Sequence, residues 1–327
     1  MPGDFTLKSY FRRALKPLYW RLCPVPQEFS IAVVRTDSLT ALHDAAMSSL
    51  PVLTRDQVTD VPAAFVADPF MWCHQGRWYM FFEVLNRVGW KGEIGLATSE
   101  DGLSWSYERI VLAESFHLSY PHVFEWAGDF YMVPEGAEGG GVTLYRAVDF
   151  PYRWQSIAQI LRGDGIWDPT IFRYEGTWWI FAATRSKDGP PDLRLYFSSD
   201  LIGPWYEHPA SPIVSQRYDI ARPAGRVIMA NGKPLRFAQG LKPAYGTNVC
   251  ALRVDDLSLT RYAETQVEPC PLLQSGREAW NESGMHHLDA HQLSDGSLLA
   301  CVDGWKQLSA KAGNLIDTMR YPRPKFA

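Results

Sequence analysis

The chain has 327 residues, 46% hydrophobic and 21% charged, and its formal net charge is −4. That balance leaves no basic surplus for a nucleic-acid surface, and the length suits one large all-β domain. Aromatics make up 13% of residues, with 13 Trp beside 25 Gly and 23 Pro, a mix that favours many short strands and turns over long helices.

Residues 1–29 have no apolar run long enough for a signal peptide or a membrane span. Between residues 5 and 22, Lys8, Arg12, Arg13, Lys16 and Arg21 are interspersed with Phe11, Leu15, Leu18, Tyr19 and Trp20. The segment lacks strand alternation, so a helix is expected. Its basic and aromatic residues suit peripheral contact with an anionic membrane; a helix docked on the domain is the alternative. The cysteines, Cys23, Cys73, Cys250, Cys270 and Cys301, are scattered and show no CxxC spacing. This argues against a cysteine zinc site and against a disulfide framework, and it predicts free thiols in a reducing cytoplasm.

The stretch VADPFMWCHQGRWYMFFEV (66–84) reads as two strands joined by a Gln-Gly turn, with Asp68 at one end and Glu83 at the other. The plan recurs in YPHVFEWAGDFYMVPEG (120–136), WDPTIFRYEGTWWIFAATR (167–185), ARPAGRVIMANGKPLRFAQG (221–240) and, degraded, LDAHQLSDGSLLACVDG (288–304). Aligned on Pro69, Pro121, Pro169 and Pro223, the copies are 52, 48 and 54 residues apart, and Ala290 takes the fifth slot. Each of the first four hairpins is followed by a second strand pair. Such periods predict an all-β, five-bladed β-propeller over residues 30–305, four strands to a blade. First strands are expected near residues 68, 120, 168, 222 and 289, and residues 306–327 form a peripheral tail.

In a propeller, equivalent slots converge on a central channel. The first slot holds Asp68, Tyr120 or His122, Asp168, Arg222, and His287 or Asp289. The second holds Glu83, Glu135, Thr184, Gln239 and Asp303. The opposing acids then rim a polar funnel, which is what a sugar site needs: an inverting glycosidase uses two carboxyl groups about 6.5–9.5 Å apart. Two plainer readings stand beside this one. Asp before Pro often caps a turn, and Glu83 and Glu135 can pair with Arg222 or Arg185, since buried acids are usually paired.

VADPF and WDPT resemble motifs in the five-bladed propellers of glycoside hydrolase families 43, 32 and 68. The resemblance implies Asp68 as catalytic base (nucleophile in a retaining relative) and Asp168 as modulator of the acid. The family 43 acid, a Glu from the next blade, is missing here, where ARPAG supplies Arg222 and then Gln239. Glu135 is the nearest substitute. ADPF…GRWYMFFE, HLSYPHVFE…YMVPE, LIGPWYEHPASPIV, ARPAGR and the dipeptide Tyr245–Gly246 are similar to a second family, the N-terminal domain of plant glucosamine inositolphosphorylceramide transferase, over residues 62–305. It implies carbohydrate or glycolipid metabolism. The expected catalytic set is therefore Asp68, Asp168 and Glu135. The expected substrate-binding set is Glu83, Tyr120, His122, Arg222, Gln239, Tyr245, His287 and Asp289. No cofactor is expected; family 43 propellers imply at most a structural Ca²⁺ near the channel. The expected partner is a carbohydrate or glycolipid, acted on at a glycosidic bond. The alternative is a non-catalytic glycan-binding propeller that accompanies a glycosyltransferase.

Overall fold

The structure, a computed structural model, describes residues 27–187 and 189–308. The expected helix at 5–22, with its membrane contact, and nearly all of the 306–327 tail lie outside the described residues. Among the described residues no helix is long and apolar enough to cross a membrane.

The described residues open with β1 (Gln27–Thr36) and α1 (Leu39–Met47). Four sheets then follow in sequence order. The first blade is β2 (Ala63–His74), β3 (Arg77–Asn86), β4 (Lys91–Ser99) and β5 (Ser106–Leu112). The second is β6 (Ser119–Trp126), β7 (Asp129–Glu135), β8 (Gly141–Asp149) and β9 (Arg153–Arg162). The third is β10 (Ile166–Tyr174), β11 (Thr177–Thr184), β12 (Asp192–Ser198) and β13 (Tyr206–Glu207). In the fourth, β14 (Arg222–Pro223) and β15 (Ile228–Ala230) both pair with β16 (Lys233–Gln239), and β17 (Val249–Leu257) and β18 (Tyr262–Val267) follow. The fifth contains β19 (Gly284–Gln292) and β20 (Leu298–Gln307), completed by β1 from the other end of the chain. The molecule is thus a five-bladed propeller closed by β1.

The inner hairpins form where the sequence supplies their turns. Gln75–Gly76, Ala127–Gly128, Glu175–Gly176 and Asn231–Gly232 all have positive φ at both residues. That is the type I′ pattern, whose twist matches that of the flanking strands. Between the blades lie five hydrophobic clusters, one for each adjacent pair. Phe70 and Phe81 of the first blade meet Val123 and Met132 of the second, for example. Full burial of such a side chain contributes about 1.5–3 kcal/mol relative to exposure.

The fifth blade departs from the four-strand expectation. It has three strands, and the outer edge of β1 is covered by Leu53, which bridges Ile31. Helix α1, capped by the Ser38 hydroxyl accepting from the Ala41 N–H, buries Leu42 and Ala46 in the core shared by the fourth and fifth blades. The expected strand starts also shift. β2 begins five residues early, so Asp68 and Glu83 lie inside their strands rather than at the ends.

The thiol expectation is corrected. Cys250 and Cys270 form a disulfide, with Cα atoms 5.3 Å apart. After β18 the chain returns along β17, where Leu273 bridges Val249, and this brings Cys270 beside Cys250. A 20-residue separation with no motif hides that meeting in the sequence. Cys73 is free and exposed, and Cys301 is free and buried. Five free thiols therefore no longer serve as the ground for expecting a reducing compartment.

Candidate functional site

Register shifts aim the first-slot residues. The ladder slips between Ala67 and Phe70, between Ser119 and His122, and between Trp167 and Thr170. In each slip the residue before proline takes a left-handed backbone: Asp68 at φ 53°, Tyr120 at 49° and Asp168 at 48°. Such a conformation costs a non-glycine residue about 1–3 kcal/mol and persists only where the surroundings fix it. Two carboxylates do that fixing across blade boundaries. Asp303 Oδ2 accepts the Asp68 N–H (2.9 Å), and Glu135 Oε2 accepts the Asp168 N–H (3.1 Å).

In the fifth blade the slip falls between Met285 and His287, so the slot belongs to His286 rather than to Asp289. His286 is the main residue that sequence reasoning missed. Its hairpin lacks the proline on which the other four align, and only the adjacent HH pair marked the place. Thr184 also leaves the ring: its hydroxyl binds Asp192 O and Arg194 Nε.

The slots open into a cavity of about 370 Å³. Asp68, Glu83, Glu135, Arg222 and Tyr245 line it as expected, joined by His286, His117 and the apolar walls Phe29, Phe65 and Trp90. Asp168 and Gln239 stand behind Arg222. Arg222 Nε donates to Asp168 Oδ2 (2.5 Å), Gln239 Nε2 donates to the same oxygen (3.1 Å), and an Arg222 terminal nitrogen lies 3.5 Å from Glu135 Oε2. The expected ion pairing is therefore met for Glu135. Glu83 instead faces His117, whose Nε2 lies 3.3 Å from its Oε1. His117 Nδ1 accepts the Gly92 N–H (2.9 Å), which leaves the ring proton on Nε2.

Besides Gln239, four expected binding residues do not line the cavity. The Tyr120 hydroxyl is tied to both backbone groups of Gly225 and to Thr170. Gly225 has φ 129°, and a Cβ there would stand 1.8 Å from Leu288 O, so only glycine allows this contact. His122 and Asp289 lie deeper and surround Arg226. Arg226 Nε donates to Asp289 (2.7 Å), one terminal nitrogen approaches His122 Nε2 (3.3 Å), and the other donates to the Met71 and Val123 carbonyls. This arginine of ARPAGR, unassigned from sequence, plugs the channel by joining four blades. His287 is buried beneath Asp68, with Nδ1 3.7 Å from Asp68 Oδ1, and burial pushes its pKa down to about 4.

The remaining groups divide by charge. Burial works to raise the Asp168 pKa, but Arg222 and the hydrogen bond with Glu135 hold it below the ordinary value. Burial likewise works to raise Asp303, and His286 overcomes it. His286 Nδ1 donates to Asp303 (2.6 Å), while its Nε2 lies 3.6 Å from Asp68. Burial opposes the imidazolium charge, yet Asp303 and Asp68 carry the His286 pKa upward. Burial raises Asp68 to about 7, against the pull of His286. Burial also lifts Glu83 and Glu135 well above the usual carboxyl range, with neighbouring carboxylates adding to it. The ring therefore holds two carboxylates kept low by cations, Asp168 by Arg222 and Asp303 by His286, and three carboxyl groups that burial pushes up, Asp68, Glu83 and Glu135.

Asp68, His286 and Asp303 bring one potential ligand atom each within 4.8 Å. They suit Ca²⁺ poorly: it takes about six to eight oxygen ligands, and this set includes an imidazole already bonded to Asp303.

A family profile described as "Glucosamine inositolphosphorylceramide transferase 1, N-terminal" matches residues 28–305. The chain belongs to this family. Glucosamine inositolphosphorylceramide transferase 1 of Oryza sativa subsp. japonica is 35% identical over 262 residues, 78% of this chain and 35% of the relative. The Arabidopsis thaliana protein of that name is 36% identical over 263 residues, 78% of this chain and 34% of the relative. The chain thus spans about a third of the length of these family members. Among solved structures, it resembles an α-L-arabinofuranosidase from Lactobacillus brevis (TM-score 0.55, 17% identity, 76% of this chain and 83% of that one). A thermostable family-43 glycoside hydrolase gives a TM-score of 0.54 at 16% identity, over 76% and 91% of the two chains. At these identities the likeness establishes the shared propeller fold.

Proposed function

We propose that the cavity acts on a glycosidic bond of a glycan or glycolipid, with Asp68 as base and Glu135 as acid. The observation that carries this reading is that two buried carboxyl groups, Asp68 and Glu135, line the wall of one cavity. Burial raises Asp68 to about 7 beside the His286–Asp303 pair and lifts Glu135 well above the usual carboxyl range. A carboxylate base and a carboxylic acid at one site are what inversion at a sugar carbon requires. Asp168 acts through Arg222 as a positioning residue for Glu135. The relatives' name, with its transferase and its glycolipid, supports a carbohydrate or glycolipid substrate class.

A second reading, a glycan-binding propeller that serves a separate glycosyltransferase, is favoured by one observation. Glu135 already accepts the Asp168 N–H, a structural duty, and blade four has Gln239 where a family 43 acid would stand.

The test is a panel of p-nitrophenyl glycosides on the full chain. A nitrophenolate leaves without being protonated, so Glu135→Gln should spare these substrates, while Asp68→Asn should lower turnover about 10²-fold or more. Wild-type kcat/KM should rise with pH through about 7 as Asp68 ionises. Glycan binding without turnover on any member of the panel would favour the second reading.

A further inference from the structure

Glu83 is a buried carboxyl group with an acceptor to spare. It comes from β3, is 6% exposed and lines the cavity, and its Oε1 accepts no hydrogen bond from the protein. Buried polar atoms are nearly always hydrogen-bonded, so one that faces a cavity without a partner leaves room for a ligand donor. His117 lines the same cavity. Its Nδ1 accepts the Gly92 N–H (2.9 Å), so the neutral ring carries its proton on Nε2. That nitrogen lies 3.3 Å from Glu83 Oε1 yet is out of line to donate to it.

The sequence keeps space around this pair. Gly92, in β4, packs against both: a Cβ there would stand 2.9 Å from Glu83 Oε1 and from His117 Cε1, and 2.1 Å from Leu118 O. Any larger residue would strike backbone and crowd the two polar groups. A donor and an acceptor 3.3 Å apart are both within reach of one oxygen at about 2.8 Å. An anion placed there would meet Asp68 and Glu135, the carboxyl groups that act most strongly on Glu83. An ammonium could donate to Glu83 but has no lone pair for the His117 proton. A hydroxyl does both. Trp90, on the loop between β3 and β4, adds an apolar wall to the cavity, and a few fixed polar groups among such walls are what orient a small ligand.

We propose that Glu83 and His117 are the specificity pair of the cavity: one hydroxyl of the bound sugar donates to Glu83 Oε1 and accepts from His117 Nε2. The inference rests on the glycan reading above and adds to it the groups that choose among sugars. A sugar without that hydroxyl leaves Oε1 unpartnered beneath the ligand. A site built to bond a hydroxyl rejects the analogue that lacks it for this reason. A metal ion fits the pair less well, because the residues that converge closely enough for one are Asp68, His286 and Asp303, and neither Glu83 nor His117 is among them.

The experiment is calorimetric titration of the full chain at pH 7 with glucose, galactose and mannose, followed by the monodeoxy analogues of whichever binds most tightly. The expected result is one deoxy position at which affinity falls about tenfold or more, as an unpaired buried acceptor warrants. In Glu83→Met and in His117→Phe the penalty at that same position should nearly disappear, while penalties at other positions persist. Penalties spread evenly around the ring, or a penalty that survives either variant, overturn the inference and leave the glycan reading standing. So does failure of all three sugars to bind while the nitrophenyl panel above is bound or turned over; failure of that panel as well overturns both. The two variants are independent, so one that failed to fold would leave the other to decide.

Discussion

At the scale of single residues, Asp68 is where fold and chemistry compete. Its left-handed backbone is held by Asp303, and its carboxyl group lies between His286 and His287. Burial raises its pKa from 3.8 to about 7, so the folded state binds this proton more tightly than the unfolded chain. The stabilisation is fully present below about pH 4 and is lost as pH rises through about 7. Asp68→Asn removes the titration with almost no change in volume. Its stability relative to wild type should climb between pH 4 and 7, by about 2–4 kcal/mol at 1.4 kcal/mol per pH unit, and then level off. Melts of both proteins across that range are the check; parallel curves would mean that Asp68 does not titrate there. The sequence marked this residue through its Asp-Pro context. It did not mark His286, because a bulge, not a motif, brings that ring to the cavity.

At the scale of elements, the inner hairpins were the most readable part of the chain. An X-Gly pair flanked by alternating apolar residues specifies a type I′ turn locally, and four blades carry one. The bulges were not readable, since a slip of one residue changes which side chain faces the channel while the apolar pattern stays intact. That is why Asp289 was expected at the mouth and His286 was not. The Cys250–Cys270 link depends on two segments meeting after β18, and local pattern is silent there too. A disulfide that closes a loop of about 20 residues stabilises by roughly 2–4 kcal/mol, chiefly by restricting the unfolded chain. Melting with and without reductant should show a matching fall, absent in Cys250→Ser/Cys270→Ser. A wild-type melt that ignores reductant would show that the pair contributes nothing.

At the scale of the whole molecule, the repeat spacing announced five blades, but the closure was hidden. β1 precedes every repeat and shares no motif with them, yet it pairs with β20 from Gln27↔Gln307 to Thr36↔Leu298. Cavity-lining Gln27 and Phe29 belong to it, so closure also builds one wall of the site. Deleting residues 27–36 would strip β20 of its outer neighbour, remove Ile31 and Val33, and expose the side of the core they cover. The expected outcome is loss of the cooperative melt rather than a modest shift. A circular permutant separates the strand from its position in the chain. Because Gln27 lies opposite Gln307, an Asn-Gly turn between them would join β20 to β1 as an ordinary hairpin, with the new chain starting at Asp37. If closure by pairing is what matters, this permutant should regain a cooperative melt and glycan binding. If the deletion alone still melts cooperatively, the ring is held by its inter-blade cores and β1 serves only the site.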